Sequence, residues 1–225
     1  MKKIVLLGLQ TDPNLGDGLI SECTRLLTEK ALGELGASDT VKTETCDIRG
    51  VDFREHLVAH TVRVNEINAV RLPKKKMLGD LAARGFCRVF PRSRTASRLS
   101  AKRDRMRSEL KAKAELKLKQ YSEQREQMLN RAACEYALAS IDADTAAVIV
   151  VGGGLIKYGG HQRLAKKLEP YFRRAQELGI PVMVNAVGVE GFDPDDVECV
   201  LLREILNLPC VKRVTTRNSG RYVRS

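Results

Sequence analysis

The sequence predicts an α/β protein built on a Rossmann-like parallel sheet of about five strands, with a basic helical insertion. Three observations lead there. Val148, Ile149, Val150 and Val151 form a continuous apolar run that ends in Gly152, Gly153 and Gly154. Such a run reads as a strand buried on both faces, as in a parallel sheet covered by helices. At both ends of the chain, apolar runs of strand length alternate with amphipathic stretches of helix length, the order of βαβ units. Between Arg71 and Arg131 there are 19 Lys and Arg against 6 Asp and Glu, whereas the rest of the chain holds 20 against 22. The net charge of +11 therefore belongs to one inserted segment.

Ile4 to Leu9 is the first predicted strand. Turn-forming residues fill 10–18. Leu19, Ile20, Cys23, Leu26, Leu27 and Ala31 then recur at three- and four-residue steps, which predicts a helix from about Gly18 to Leu35, stopped at Gly36. Val41 to Ile48 reads as the second strand. Residues 50–140 interrupt the alternation. Met77, Leu78, Leu81, Ala82, Phe86, Val89 and Phe90 share one face of a predicted helix ringed by Lys74, Lys75, Lys76, Arg84, Arg88, Arg92 and Arg94. That pattern fits either packing within its own domain with a solvated basic face, or lying in a membrane interface. Ser97 to Ser140 lacks Gly and Pro and is rich in helix formers, and Met128, Leu129, Ala132, Ala133, Tyr136 and Ala137 give its second half a face that can dock.

Regular alternation then returns. The central strand spans Asp144 to Val151, with the glycines beyond it expected in a loop. Leu164, Leu168, Tyr171, Phe172, Ala175 and Leu178 mark a helix closed by Gly179, and Pro181 to Val187 reads as a strand. Asp193 is expected to cap a helix with Pro194 in its first turn, and Val211 to Thr215 is the last strand. The expectation is a single domain over 1–225, truncated at its C-terminal end, with 50–140 inserted within it.

Bulk properties remove several function classes. No apolar run approaches the roughly 18–20 residues of a membrane helix, and Met1-Lys2-Lys3 leads straight into a strand, so a cytoplasmic protein is expected. None of the six cysteines forms a Cys-x-x-Cys pair. His56 and His60 have the i, i+4 spacing of a shared metal, but no third ligand is patterned nearby, and the favoured reading is a solvated helix face. Aromatic residues make up 4% of the chain and none interleaves the basic run, which disfavours nucleic acid as a partner.

The glycines invite two phosphate motifs, and both fail. Counting from Gly152, the sixth position of a dinucleotide fingerprint is Lys157; in the P-loop frame, Gly160 and His161 stand where Lys and Ser or Thr are needed. Four strand ends taken together say more. They are Asn14-Leu15-Gly16-Asp17, then Gly152-Gly153-Gly154, then Val184-Asn185-Ala186-Val187-Gly188-Val189-Glu190, and finally Val214-Thr215-Thr216-Arg217. In this order and spacing, over about residues 1–48 and 142–220, they resemble the polysaccharide pyruvyltransferase family. The chain departs from the family in two ways. Arg217 is followed by Asn218 where the family has Asp, and the family's second domain has no counterpart in these residues.

The resemblance implies one half of a GT-B-type architecture, two Rossmann-like domains around a cleft. It also implies transfer of the pyruvyl unit of phosphoenolpyruvate to a sugar of a cell-envelope or exopolysaccharide glycan, as a ketal. This chain would be the acceptor-side domain, with phosphoenolpyruvate as donor substrate and no metal or further cofactor. Asp17 would accept a proton from a sugar hydroxyl, although a carboxylate there also suits a helix cap. Gly152, Gly153 and Gly154 would allow close approach of backbone N–H groups. Arg217 would hold the donor carboxylate, or else form a surface ion pair. Asn14, Gly16 and Asn185 would bind hydroxyls or shape their turns. Partners implied are a glycan or lipid-linked sugar and an anionic membrane surface touched by residues 74–94, with the protein peripheral at the inner membrane face. Two other readings stay open: a non-catalytic module that binds glycan or membrane, and a GT-B-type glycosyltransferase domain.

Overall fold

The computed structural model describes residues 1–10, 15–50, 53–68, 94–156, 164–189 and 193–217. It is an α/β fold around one five-stranded, all-parallel sheet. The elements in chain order are β1 (Lys2–Gly8), α1 (Leu15–Glu34), β2 (Val41–Asp47), α2 (Phe53–Asn68), α3 (Arg94–Ser140), β3 (Thr145–Ile156), α4 (Leu164–Glu177), β4 (Val182–Val189), α5 (Val197–Leu206) and β5 (Val211–Thr216). Strand order is β2-β1-β3-β4-β5. The chain divides into two compact units, residues 1–56 with 127–225, and residues 57–126.

In the first unit, alternation along each strand sends side chains to two faces. One face carries Val5, Leu7, Cys46, Val148, Val150, Val182 and Val184, and these join a single core with Leu168, Tyr171 and Phe172 of α4, Ile205 of α5, and Ala133 and Ala137 of α3. The apolar character of α4 lies on that one side: Leu164, Leu168, Tyr171, Phe172 and Ala175 are all buried despite Pro170 in mid-helix. Both α1 and α4 end as the glycines predict. The N–H of Ala37 reaches Leu32 O at 2.8 Å and that of Ile180 reaches Ala175 O at 2.8 Å, the closing bond of a Schellman stop.

The opposite face carries Leu6 and Val151, both buried, and Ile149 and Met183, half-buried. Its helix is α1, and α1 is turned the wrong way round. Ser21 is buried, and Thr24, Arg25, Thr28 and Glu29 are half-buried, with Glu29 accepting from Thr43 of β2 at 2.7 Å. The leucines on which the helix was predicted, Leu19, Leu26 and Leu27, are exposed instead.

At the foot of the sheet the Lys3 ammonium lies 3.1 Å from Asp142 and 3.5 Å from Glu44. Burial alone would lower its pKa, but these carboxylates outweigh it and raise it; the hydrogen bond from Lys3 in turn lowers that of Asp142.

Several boundaries differ from expectation. Helix α1 starts at Leu15, not Gly18, which puts Asp17 inside the first turn, where its charge suits the helix dipole, and removes its role as cap. Strand β3 runs through the glycines to Ile156, so Gly152, Gly153 and Gly154 are strand and not loop. Asp196, not Asp193, caps α5, its carboxylate accepting from the N–H groups of Glu198 and Cys199 at 2.9 and 3.1 Å. Asp193 instead bends the chain by accepting from the N–H of Asp195 at 2.9 Å, with Pro194 inside that turn.

In the second unit α2 pairs with α3. His60 stacks on Tyr121, centroids 5.5 Å apart and planes 13° from parallel. Ile67 is buried, and Met106, Leu110, Ala114, Leu118 and Tyr121 form a half-buried stripe on α3. Arg63, Glu66, Lys117, Gln120 and Gln124 line a polar cleft of about 290 Å³ beside it. His60 is therefore a packing residue and not part of a solvated face; burial first, then the nearby Arg125 charge, lowers its pKa. The helix expected over Met77 to Phe90 lies outside the described residues. Among those residues, no helix is long and apolar enough to cross a membrane.

Candidate functional site

Strand order reverses between β1 and β3: the chain leaves β1 toward β2 on one side, and β3 toward β4 and β5 on the other. In open α/β sheets a ligand crevice opens at such a point, beyond the carboxyl ends of the strands. What this sequence places there is small. A Cβ on Gly8 would lie 3.3 Å from Val151 Cβ, so β1 and β3 approach closely at their ends.

The next residues are the glycines of β3. Gly153 has φ +141°, and a Cβ there would fall 2.6 Å from Asp17 Oδ1. The carboxylate in the first turn of α1 thus rests directly over the Gly153 backbone. Gly152 faces β4, where a Cβ would come within 2.5 Å of Ala186 O and 3.0 Å of Asn185 O. The bare Gly152 lets β3 and β4 close at this level, and the bare Gly153 makes room for Asp17.

Strand β4 is irregular where Gly152 meets it. Val184 pairs with Val214 and Val187 with Thr216, so Asn185 and Ala186 together face the single residue Thr215. This is a bulge, an arrangement frequent beside active sites. Ala186 sits at φ +51°, the left-handed region that an L side chain adopts at a cost. Thr215 holds it there: its hydroxyl accepts the Ala186 N–H at 2.8 Å and lies 3.2 Å from Asn185 Oδ1. With the hydroxyl oxygen accepting from Ala186, its proton is shared between Asn185 Oδ1 at 3.2 Å and Val184 O at 3.4 Å, and the Asn185 side chain is exposed beside it.

One row further along, Gly153 pairs with Val187 and Val187 with Thr216. Arg217 follows, exposed, its N–H bound to Val187 O at 3.0 Å. At about 4.8 Å per strand, Asp17 over Gly153 and the end of β5 are roughly 10 Å apart.

Of the expected residues, Asp17, Gly152, Gly153 and Asn185 therefore gather around the ends of β3 and β4, with Arg217 two strands away. Gly16 is exposed in the first turn of α1. Gly154 lies in the strand beyond the contact with Asp17, and Asn14 is outside the described residues. The sequence reading missed Thr215 and Ala186. A threonine in a strand gives no sign of bracing a bulge, and left-handed alanine has no sequence signature; the glycine facing it was the nearest hint.

Missed too was a buried ion pair at the end of β2. Arg49 donates from Nε to Asp47 Oδ1 at 2.9 Å and from its Nη2 to Oδ2 at 2.8 Å, while the Arg49 N–H also meets Oδ1 at 3.0 Å. Tyr171 donates its hydroxyl to Asp47 O at 3.3 Å, and burial raises its pKa. This bidentate pair, both partners less than a tenth exposed, fixes the chain as it leaves β2. Burial pushes the neighbouring Cys46 thiol up to about 11, which makes it a packing residue and not a nucleophile. Among the described residues, no group of three or more His, Cys, Asp or Glu side chains could hold a metal ion.

Comparison with family models, with curated proteins and with solved structures returns no match to this chain.

Proposed function

We propose that this α/β unit is the acceptor-side half of a transferase that moves the pyruvyl group of phosphoenolpyruvate onto two hydroxyls of a glycan sugar. One observation carries the reading: Asp17 held over the bare backbone of Gly153 at the point where strand order reverses. A carboxylate there can take the proton of a hydroxyl, and the glycine beneath it leaves the room that the carboxylate occupies. In the reaction, C2 of phosphoenolpyruvate gains two bonds to sugar oxygens, loses its bond to the phosphate oxygen, and its double bond to the methylene carbon becomes single. One hydroxyl proton ends on the methylene carbon and the other on the departing phosphate. Asn185 would donate to an acceptor oxygen, and Arg217 would pair with the donor carboxylate.

The reading is tested by calorimetric titration of the full chain with phosphoenolpyruvate and, separately, with nucleotide-sugars. Phosphoenolpyruvate should bind, and Arg217→Ala should weaken it by about tenfold or more. Binding of a nucleotide-sugar, with none of phosphoenolpyruvate, would move the chain to the glycosyltransferase class.

The same reading gives residues 74–94 a task. Their seven cations flank an apolar face in the sequence, a combination that fits the anionic membrane surface on which lipid-linked sugars are displayed. Cosedimentation with anionic vesicles should fall in Arg84→Glu with Arg88→Glu; unchanged cosedimentation would refute it.

A further inference from the structure

His60 occupies the seam between α2 and α3. On α2 the residues withdrawn from solvent recur at helical spacing: Leu57, His60 and Val64 are half-buried and Ile67 is buried. On α3 the half-buried stripe runs through Leu118, Tyr121 and Arg125. The imidazole lies on the Tyr121 ring, 5.5 Å between centroids and 13° from parallel. Its Nδ1 is buried and has no hydrogen-bond partner. An aromatic stack accounts for the ring but not for that nitrogen, since phenylalanine would make the same contact without burying an unsatisfied polar atom.

Among the described residues, the ionisable side chains nearest His60 along the two helices are His56, Arg63 and Glu66 on α2, and Lys117, Arg125 and Glu126 on α3. Three fixed cations thus stand against two carboxylates, one of which Arg63 already holds at 2.9 Å. A further positive charge in the seam meets more repulsion than attraction.

We propose that His60 makes the α2–α3 seam a proton-operated latch, closed while its ring is neutral and opened when the ring takes up a proton. A neutral ring can leave Nδ1 as an unfilled acceptor. An imidazolium carries N–H on both nitrogens, so closing the seam over it buries a donor with no acceptor, beside the Arg125 charge. The face of Tyr121 attracts an imidazolium and works the other way. Burial and Arg125 prevail, since the folded ring holds its proton less tightly than an ordinary histidine. Protons therefore bind the open seam better than the closed one, and acid opens it. In the chain the two helices flank the basic run from Lys74 to Arg92, so the latch stands at both ends of that run. The inference is independent of the transferase reading.

Hydrogen exchange of the full chain followed by mass spectrometry, corrected for the pH dependence of intrinsic exchange, reads the latch. Peptides from α2 within residues 57–66 should lose protection by up to about tenfold for each pH unit below about 6.5, while peptides from α4, whose apolar side is buried in the sheet unit, keep theirs. His60→Phe keeps an aromatic ring for the stack and should hold α2 protection constant over the same range. The second measurement is the titration of the His60 ring by NMR, its signal identified by its loss in His60→Phe; the ring should titrate below the ordinary 6.5. A ring that titrates at or above that value would overturn the inference, whatever the variant does. So would α2 protection that is unchanged between pH 8 and pH 5, or that falls equally in His60→Phe. A parallel loss in α2 and α4 would overturn it too, because acid would then be unfolding the whole chain.

Discussion

Replacing Gly152 with alanine tests the geometry of the crevice directly. The new methyl would stand 2.5 Å from Ala186 O and 3.0 Å from both Ala186 C and Asn185 O. All three are backbone atoms, so no rotamer change relieves the contact. Relief requires β4 to move by several tenths of an ångström away from β3, in the centre of the sheet. The bulge cannot yield freely either, being tied to Thr215 and already holding Ala186 at φ +51°. Overpacking of this kind costs about 1–3 kcal/mol, and the upper half of that range applies where the neighbour is braced backbone. Alanine lowers the entropy of the unfolded chain, which offsets about 0.4–1 kcal/mol. The net loss of roughly 1–2 kcal/mol lowers the melting temperature of a chain of this size by about 3–8 °C. Gly36→Ala is the control. Its φ is +66° with nothing within 4 Å of the added methyl, so conformational strain of about 1–2 kcal/mol acts there without a clash, less the same unfolded-state offset. Thermal melts followed by circular dichroism decide the matter. If Gly152→Ala melts with the wild type, or if Gly36→Ala is the more damaging change, the close approach of β3 and β4 is wrong.

Two further outcomes follow from other parts of the structure. Thr215→Val removes the acceptor of the Ala186 N–H and should cost about 1–2 kcal/mol in urea unfolding, while Thr215→Ser should restore most of it; equal midpoints for all three proteins would show that the hydroxyl does not brace the bulge. Burial and then the Arg125 charge disfavour the protonated form of His60, whose ring stacks on Tyr121. Its folded pKa lies below the ordinary 6.5, so the unfolded chain binds the extra proton more readily. Stability from this site is therefore complete above about pH 6.5 and declines as the pH falls below it. The α2–α3 pair in His60→Phe should lose less melting temperature between pH 8 and pH 5 than the wild type does, and equal losses would refute the assignment.

The strands were legible because their chemistry is local. Val148 to Val151 and Val182 to Val187 can be little else than strands, and the helix between them carries one apolar side at the right period. What could not be read was set by contacts between distant residues. Asp193 and Asp196 are chemically equal as caps, and the choice fell to Asp196 because Pro194 and Asp195 were needed to turn the chain after β4. The glycines of β3 were expected in a loop because glycine weakens a strand on its own. They remain strand because β4 lies against Gly152 and Asp17 over Gly153, contacts that no local pattern encodes. The site was thus half visible: its glycines and Asp17 stand out in the sequence, whereas Thr215 and Ala186 acquire their roles only through the bulge.

Helix α1 shows the same limit from the other side. The spacing of Leu19, Ile20, Cys23, Leu26, Leu27 and Ala31 identifies a helix with a face to bury, but periodicity says nothing about which neighbour buries it. The sheet takes the polar side instead, and the cost is small because those groups are satisfied where they lie. Thr24 and Thr28 donate to Ile20 O and Thr24 O of their own helix, each at 2.8 Å, and Thr43 donates to Glu29. A hydroxyl that bonds its own helix can pack under a sheet almost as an alanine would, whereas an exposed leucine gains nothing from water. Those bonds therefore let the helix sit on its polar side, with Leu19, Leu26 and Leu27 exposed. A groove of about 500 Å³ beside the helix runs from Leu27 and Ala31 up to Asn185 and Thr215, so the placement of α1 also shapes the edge of the candidate site.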